Sequence, residues 1–210
     1  IDLIRAYTII VEDLRKLFEY IEPNDFNRAT FSHRTYELFL RASTEFEANC
    51  KRILEANGYL KKTHFTMIDY WKIEEAMKLS EYSVMLDIWN PKLVMKPFSA
   101  WTTTHTLHWY QDYNKVKHSR NKNFANASLI NVVYSIAGLL CILFAQFGIS
   151  SLSPYQKVMM YHTDDDGGAF CEETTLFRIK PTGSWSTDEV YAFNWESIKT
   201  DFSPFDKYPF

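Results

Sequence analysis

The stretch Trp109-Tyr110-Gln111-Asp112-Tyr113-Asn114-Lys115-Val116-Lys117-His118-Ser119-Arg120 holds the residue types best suited to chemistry in this chain. Asn114 and His118 stand four apart, which places them on one face of a helix, and Arg120 follows two residues later, near the helix end. An imidazole takes or gives a proton near neutral pH, and a guanidinium holds phosphate oxygens bidentately. With a carboxamide beside them, these groups suit a phosphodiester. His118 is then the general acid/base, Asn114 positions the imidazole or a phosphate, and Arg120 holds phosphate oxygens. Between Leu107 and Asn123, the cations Lys115, Lys117, Arg120 and Lys122 are accompanied by one acid, Asp112. On a chain of formal net charge −3 that is a local basic patch. Lys115, Lys117 and Lys122, with the ring of Tyr113, are the candidate substrate-binding residues. A purely local reading stands beside this one: His118 and Arg120 are cations at a helix C-terminus, where positive charge is favoured anyway.

Other constellations are weaker. His105, His108 and Asp112 are spaced three and four apart, as metal ligands on one helical face could be, but no fourth ligand accompanies them and a solvated face explains the same spacing. No metal is expected. Asp164-Asp165-Asp166-Gly167-Gly168 lacks the alternating ligands and distal Glu of a calcium loop and reads as a hairpin turn. There is no G-x-S-x-G, no Walker loop and no dinucleotide loop, and six glycines leave little material for one. No cofactor is expected. Cys50, Cys141 and Cys171 are odd in number and widely spaced, which fits buried thiols in a reducing compartment.

These residues need elements to position them. With 210 residues, 46% hydrophobic and 23% charged, the chain can bury one core and is neither disordered nor a strongly basic nucleic-acid binder. Leu3, Tyr7, Ile10, Leu14, Leu17 and Ile21 form one apolar stripe, and Glu22-Pro23-Asn24-Asp25 ends that helix. A second helix is expected from Tyr36 to Asn57, with Phe39, Ala42, Phe46, Cys50 and Ile53 on its apolar face and Asn57-Gly58 as its stop. A shorter one is expected over Phe65–Leu79. Residues 82–88 alternate like a strand closed by Asn90-Pro91. Thr102-Thr103-Thr104 is suited to capping a helix over His105–His118.

No charge interrupts the stretch between Lys122 and Lys157. Leu129–Phe147 is nearly long enough to span a bilayer, but Asn131, Ser135 and Gln146 and the neighbouring amphipathic helices favour a buried bundle helix, and no membrane partner is expected. Beyond Pro154, short strands are expected at Lys157–His162 and Leu176–Lys180, flanking the turn at 164–168, and at Val190–Trp195, with the aromatic tail 202–210 against the body. The fold class is therefore mostly α: a four- to five-helix bundle over residues 1–150, carrying a small β hairpin or sheet, mainly in a C-terminal extension over 151–210. The chain opens at Ile1 without a signal-peptide pattern, so a preceding fragment and a cytoplasmic location are expected.

The run Tyr113-Asn114-Lys115-Val116-Lys117-His118 resembles the signature of the HEPN superfamily, an Arg, a polar residue, three further residues and a His at the junction of two bundle helices. Asn114 matches the polar position and His118 the histidine, while Tyr113 stands where the family has arginine. The helix containing Arg41–Cys50 is similar to the early bundle helix of such proteins. The resemblance covers residues 1–150 in layout and about a dozen residues in detail. It implies a homodimer that brings two motifs into one cleft. It also implies metal-independent endoribonuclease chemistry, in toxin–antitoxin, phage-defence or RNA-processing systems, with RNA and an antitoxin or other protein as partners. In that chemistry the ribose 2′-OH attacks the neighbouring phosphate, and Tyr113 would leave charge stabilisation to Arg120 or Lys117.

The resemblance also brings two helices together. Arg41, Glu45 and Asn49 form a polar row at i, i+4, i+8, either an exposed face with an Arg–Glu pair or a row packed on the motif helix, with Glu45 orienting His118 or Arg120. Two functions follow: an RNA-directed, stress- or defence-related ribonuclease centred on His118, or a catalytically silent dimerisation and partner-binding module.

Overall fold

Tyr7, Ile10, Leu14 and Leu17 are all buried on one face of helix α1 (Asp2–Phe18), as the stripe requires. The computed structural model describes residues 2–59, 64–152, 158–160 and 176–183. Helix α2 (His33–Ala56) begins three residues earlier than its apolar pattern. The cause is a capping box: Ser32 Oγ accepts from the Thr35 N–H at 3.1 Å, and Thr35 Oγ1 accepts from the Ser32 N–H at 2.7 Å. It stops where Gly58 takes φ +82°, a conformation that glycine adopts without strain. The segment expected as one helix over 65–79 is two short ones, α3 (Met67–Trp71) and α4 (Ile73–Met77), closed by Lys78 in a left-handed conformation.

Helix α5 (His108–His118) starts later than the threonines suggested. Thr104 Oγ1 bonds back to the Ala100 carbonyl at 3.0 Å, so these hydroxyls serve a preceding 3₁₀ turn (Ser99–Thr102), and Leu107 precedes α5 in extended backbone. A short α6 (Arg120–Asn123) then leads through a 3₁₀ turn to α7 (Leu129–Leu152), whose helical backbone is interrupted at Gly148 (φ 66°). Helix α7 is the axis of the bundle. It packs on α2 along most of its length and also on α1 and α5. Its apolar window Leu129–Ile149, of mean hydropathy 2.1, is 78% buried inside the fold, so the length and composition of a membrane span are consumed by a protein core.

The β part is one four-stranded sheet in the order β2-β1-β4-β3. Strands β1 (Ser83–Leu86) and β2 (Leu93–Met95) form the antiparallel hairpin, with Val84 opposite Met95. Strand β4 (Phe177–Lys180) runs antiparallel to β1, with Val84 opposite Ile179. Strand β3 (Val158–Met160) lies parallel to β4, with Val158 beside Phe177, so the hairpin expected between these two segments is not formed. Parallel neighbours cannot be joined by a tight turn. All four residues of β1 are buried, and β1 has a strand on each edge. The buried Arg178 of β4 is paired with Asp87 just beyond β1. The fold is thus mostly α with a small sheet, to which the middle of the chain and its C-terminal part each contribute two strands. The turn at 164–168, the strand at 190–195, the tail 202–210 and Cys171 lie outside the described residues.

Candidate functional site

Helix α5 is amphipathic, and its apolar side sets the geometry of everything on it. Trp109, Tyr110, Asp112, Tyr113 and Val116 are buried. The intervening Asn114 is half-buried, and Lys115, Lys117 and His118 are exposed. The helix ends because Ser119 leaves helical backbone (φ −149°, ψ 63°) and the Asn123 side chain donates to the last carbonyls, those of Lys115 at 3.2 Å and Ser119 at 3.1 Å. His118 therefore closes α5, and Arg120 opens α6 in a new direction. Asn114 and His118 share the outer face, and neither has a hydrogen-bond or ion-pair partner among the described residues.

Arg120 does not turn back to His118. Its Nη2 donates to His33 Nδ1 at 3.1 Å, and its guanidinium carbon lies 4.9 Å from the centre of the Tyr36 ring and 5.5 Å from that of Phe124. Because Nδ1 accepts, the neutral His33 carries its proton on Nε2. Phe124 also touches Phe31 edge-on at 5.5 Å and His33 at 5.0 Å. The corner is held from behind by backbone: Leu129 N donates to Thr30 O at 2.8 Å and Ile130 N to Arg28 O at 3.1 Å.

The basic patch is smaller in three dimensions than along the chain. Lys115 donates to Asp112 at 2.7 Å, and Asp112 also accepts from Asn131 Nδ2 at 3.0 Å. His108 lies 3.6 Å from the same carboxylate, and His105 stacks instead on Trp71 at 4.1 Å, so the two histidines do not converge. Lys117 is drawn to Glu47 at 3.3 Å and lies over the Tyr113 ring at 5.0 Å. Partial burial pushes the Lys117 ammonium down, but the Tyr113 hydroxyl and the Glu47 carboxylate outweigh it and hold the ammonium above its usual range. Among the described residues, Arg120 and Lys122 are the patch cations without a carboxylate partner.

Tyr113 is 1% exposed, so the ring expected to meet a substrate is a core residue. Its hydroxyl donates to Glu47 Oε2 at 3.2 Å and lies 3.4 Å from Thr44 Oγ1. Glu47 is the residue that sequence reasoning missed. Its carboxylate also accepts from the Tyr110 hydroxyl at 2.6 Å, and burial together with this bond keeps the Tyr110 phenol protonated far above its ordinary range. The signal lay in α2 itself: Glu47 directly follows Phe46 and borders the apolar stripe on the side away from Arg41 and Glu45.

The polar row Arg41, Glu45, Asn49 does not meet the motif helix. Arg41 donates to Asp13 of α1 at 2.6 Å, and its guanidinium holds the Asp13 carboxyl below the usual range. Asn49 is buried and accepts from Gln146 of α7 at 3.0 Å. Glu45 borders a groove against Ala6, Ile9 and Ile10 of α1. The wheel of α2 explains this, because Arg41 and Asn49 reach α1 and α7 from one flank while Glu47 meets α5 from the other. A larger groove of about 570 Å³ along the α1–α2 seam is lined by Leu17, Tyr20 and Leu38 with Asp13, Arg34 and Arg41, and it includes no residue of α5 or α6. Compared with protein-family models, with curated proteins and with solved structures, the chain matches none.

Proposed function

We propose that the chain is an RNA-directed, HEPN-like protein that cleaves RNA without a metal, with the outer face of α5 and the start of α6 as its working surface. The observation that carries this reading is the exposed His118. It has no partner among the described residues and sits one turn after Asn114, two residues before the unneutralised Arg120 and four before Lys122. An unpaired imidazole beside uncompensated cations, on a chain of net charge −3, fits a phosphodiester better than a structural cap. In the proposed reaction the 2′-oxygen attacks phosphorus, the bond from phosphorus to the 5′-oxygen breaks, and a cyclic phosphate and a 5′-hydroxyl result. One His118 takes the 2′-hydroxyl proton, and the His118 of a second copy in a homodimer gives one to the departing 5′-oxygen. Arg120 and Lys122 hold the phosphate, since Lys115 and Lys117 are engaged by carboxylates. A cytoplasmic setting and a role in toxin–antitoxin or phage-defence systems, with an antitoxin as partner, belong to the same proposal.

A second reading, a catalytically silent binding module, is favoured by one specific observation: the arginine position is Tyr113, committed to Glu47 inside the core. Removing a stabiliser of developing charge costs about 10²–10³ in rate in enzymes that rely on one. The deciding experiment is cleavage of mixed cellular RNA in EDTA by the protein and by His118→Ala. Cleavage that survives the chelator and disappears in the variant is expected. Absence of cleavage by both supports the silent module, and cleavage equal in both removes His118 from the chemistry.

A further inference from the structure

The corner around Arg120 has a composition that the phosphodiester reading does not use. Three aromatic groups, His33, Tyr36 and Phe124, surround one guanidinium whose Cζ sits over two of the rings, and the edge of Phe31, 47% exposed, extends the apolar surface beside them. No carboxylate among the described residues pairs with Arg120, His33 or Lys122, although Arg34 next to His33 is paired with Glu37 at 3.0 Å. A buried structural arginine normally finds an acid. This one is exposed, has rings and an imidazole instead, and among the described residues its one side-chain hydrogen bond is that to His33.

A ligand complementary to such a corner carries a flat π-system and a negative charge close together, which is what an unpaired nucleotide presents. We infer that Arg120, held in plane by His33 and by the rings of Tyr36 and Phe124, is a stacking site for one unpaired base of single-stranded RNA, with the adjoining phosphate on the free N–H edge of Arg120 and on Lys122. The inference rests on the RNA-directed reading above and adds the strand type and the residues that select it. His33 is a positioning residue here: by accepting at Nδ1 it fixes the guanidinium plane before the ligand arrives, which lowers the ordering cost of binding. Backbone bonds from Leu129 and Ile130 to the 28–31 segment hold the two sides of the corner in register. Duplex RNA keeps its bases stacked on one another and offers the corner phosphate only.

The test is fluorescence anisotropy with a labelled single-stranded RNA oligomer and the same oligomer annealed to its complement, for the full chain, Arg120→Lys, Arg120→Ala and Lys96→Ala. Lysine keeps the charge and loses the plane. Arg120→Lys is expected to weaken single-strand binding about tenfold, within the range of one base stack, and to leave duplex binding within about twofold. Lys96→Ala, which removes an exposed cation outside α5 and α6, is expected to bind both as the parent does. Arg120→Lys binding single strands like the parent, or losing duplex affinity equally, overturns the stacking site while leaving the RNA reading intact. Selective loss in Arg120→Lys without any RNA cleavage by the parent supports the stacking site and overturns the catalytic reading. No RNA binding by the parent overturns both. Circular dichroism of the Arg120 variants confirms that these exposed substitutions leave the fold in place.

Discussion

Replacing Glu47 by alanine tests the tertiary link between α2 and α5. The carboxylate is 13% exposed and accepts hydrogen bonds from Tyr110 (2.6 Å), Tyr113 (3.2 Å) and Lys117 (3.3 Å). A hydrogen bond to a charged acceptor contributes about 1.5–3 kcal/mol, and a buried hydroxyl left without a partner costs about 1–3 kcal/mol. Tyr113 retains Thr44 and Lys117 can turn to water, so the loss falls mainly on Tyr110, which is 5% exposed. Water entering the vacated space recovers part of it. The net expectation is a destabilisation of about 2–3 kcal/mol, or a melting temperature lower by about 5–10 °C for a chain of this size. Tyr110→Phe costs about 1–2 kcal/mol in the parent protein and is neutral to stabilising in the Glu47→Ala background, because it removes a hydroxyl whose partner is already gone. Urea and thermal unfolding of the four proteins of this cycle measure both quantities. A Glu47→Ala effect below about 0.5 kcal/mol, or a Tyr110→Phe cost that is the same in both backgrounds, would refute the assignment of Glu47 as the acceptor that ties α2 to α5.

Two further outcomes follow from the same packing. Gly138→Ala in α7 gains about 1 kcal/mol of helix propensity, but the new Cβ would lie 2.9 Å from Trp109 Cζ2, on a ring held by its Nε1–H bond to the Pro97 carbonyl at 3.1 Å. Overpacking of about 1–3 kcal/mol outweighs the gain, so the variant melts a few degrees lower, and a higher melting temperature contradicts this. Asp13 titrates below its ordinary value when folded because Arg41 donates to it, so its contribution is complete above about pH 4 and is lost as pH falls through the lower folded value. Asp13→Asn is therefore expected to lower stability at pH 7 by no more than about 1 kcal/mol, given a pair open to solvent, and the difference should shrink on acidification. A difference independent of pH removes the ion pair as its cause.

Much of the architecture was legible along the chain because it depends on local periodicity. The stripes of α1 and α2, read from residues three and four apart, placed Tyr7, Leu14, Phe39 and Phe46 in the core, and the charge-free run 123–156 marked α7 as the central helix. What failed was what depends on partners distant in sequence. The parallel pairing of β3 with β4 (Val158 beside Phe177) and the insertion of β4 beside β1 (Val84 opposite Ile179, 95 residues on) are set by register between separate segments, on which no local pattern reports.

The candidate site divides in the same way. Spacing alone put Asn114 and His118 on one face of α5. Only the tertiary structure decided that Tyr113 turns inward to Glu47, that Lys115 and Lys117 are engaged by carboxylates, and that Arg120 lies on Tyr36 and Phe124 beside His33. A side chain's charge and reach are properties of its residue type and can be read in one dimension. Whether that charge remains available to a ligand depends on which groups the fold brings within hydrogen-bond distance. Lys115 finds Asp112 on its own helix, but the groups that engage Tyr113, Lys117 and Arg120 at Glu47 and His33 come from α2, 66 to 87 residues away, because α2 and α5 pack together as neighbours of the same central helix.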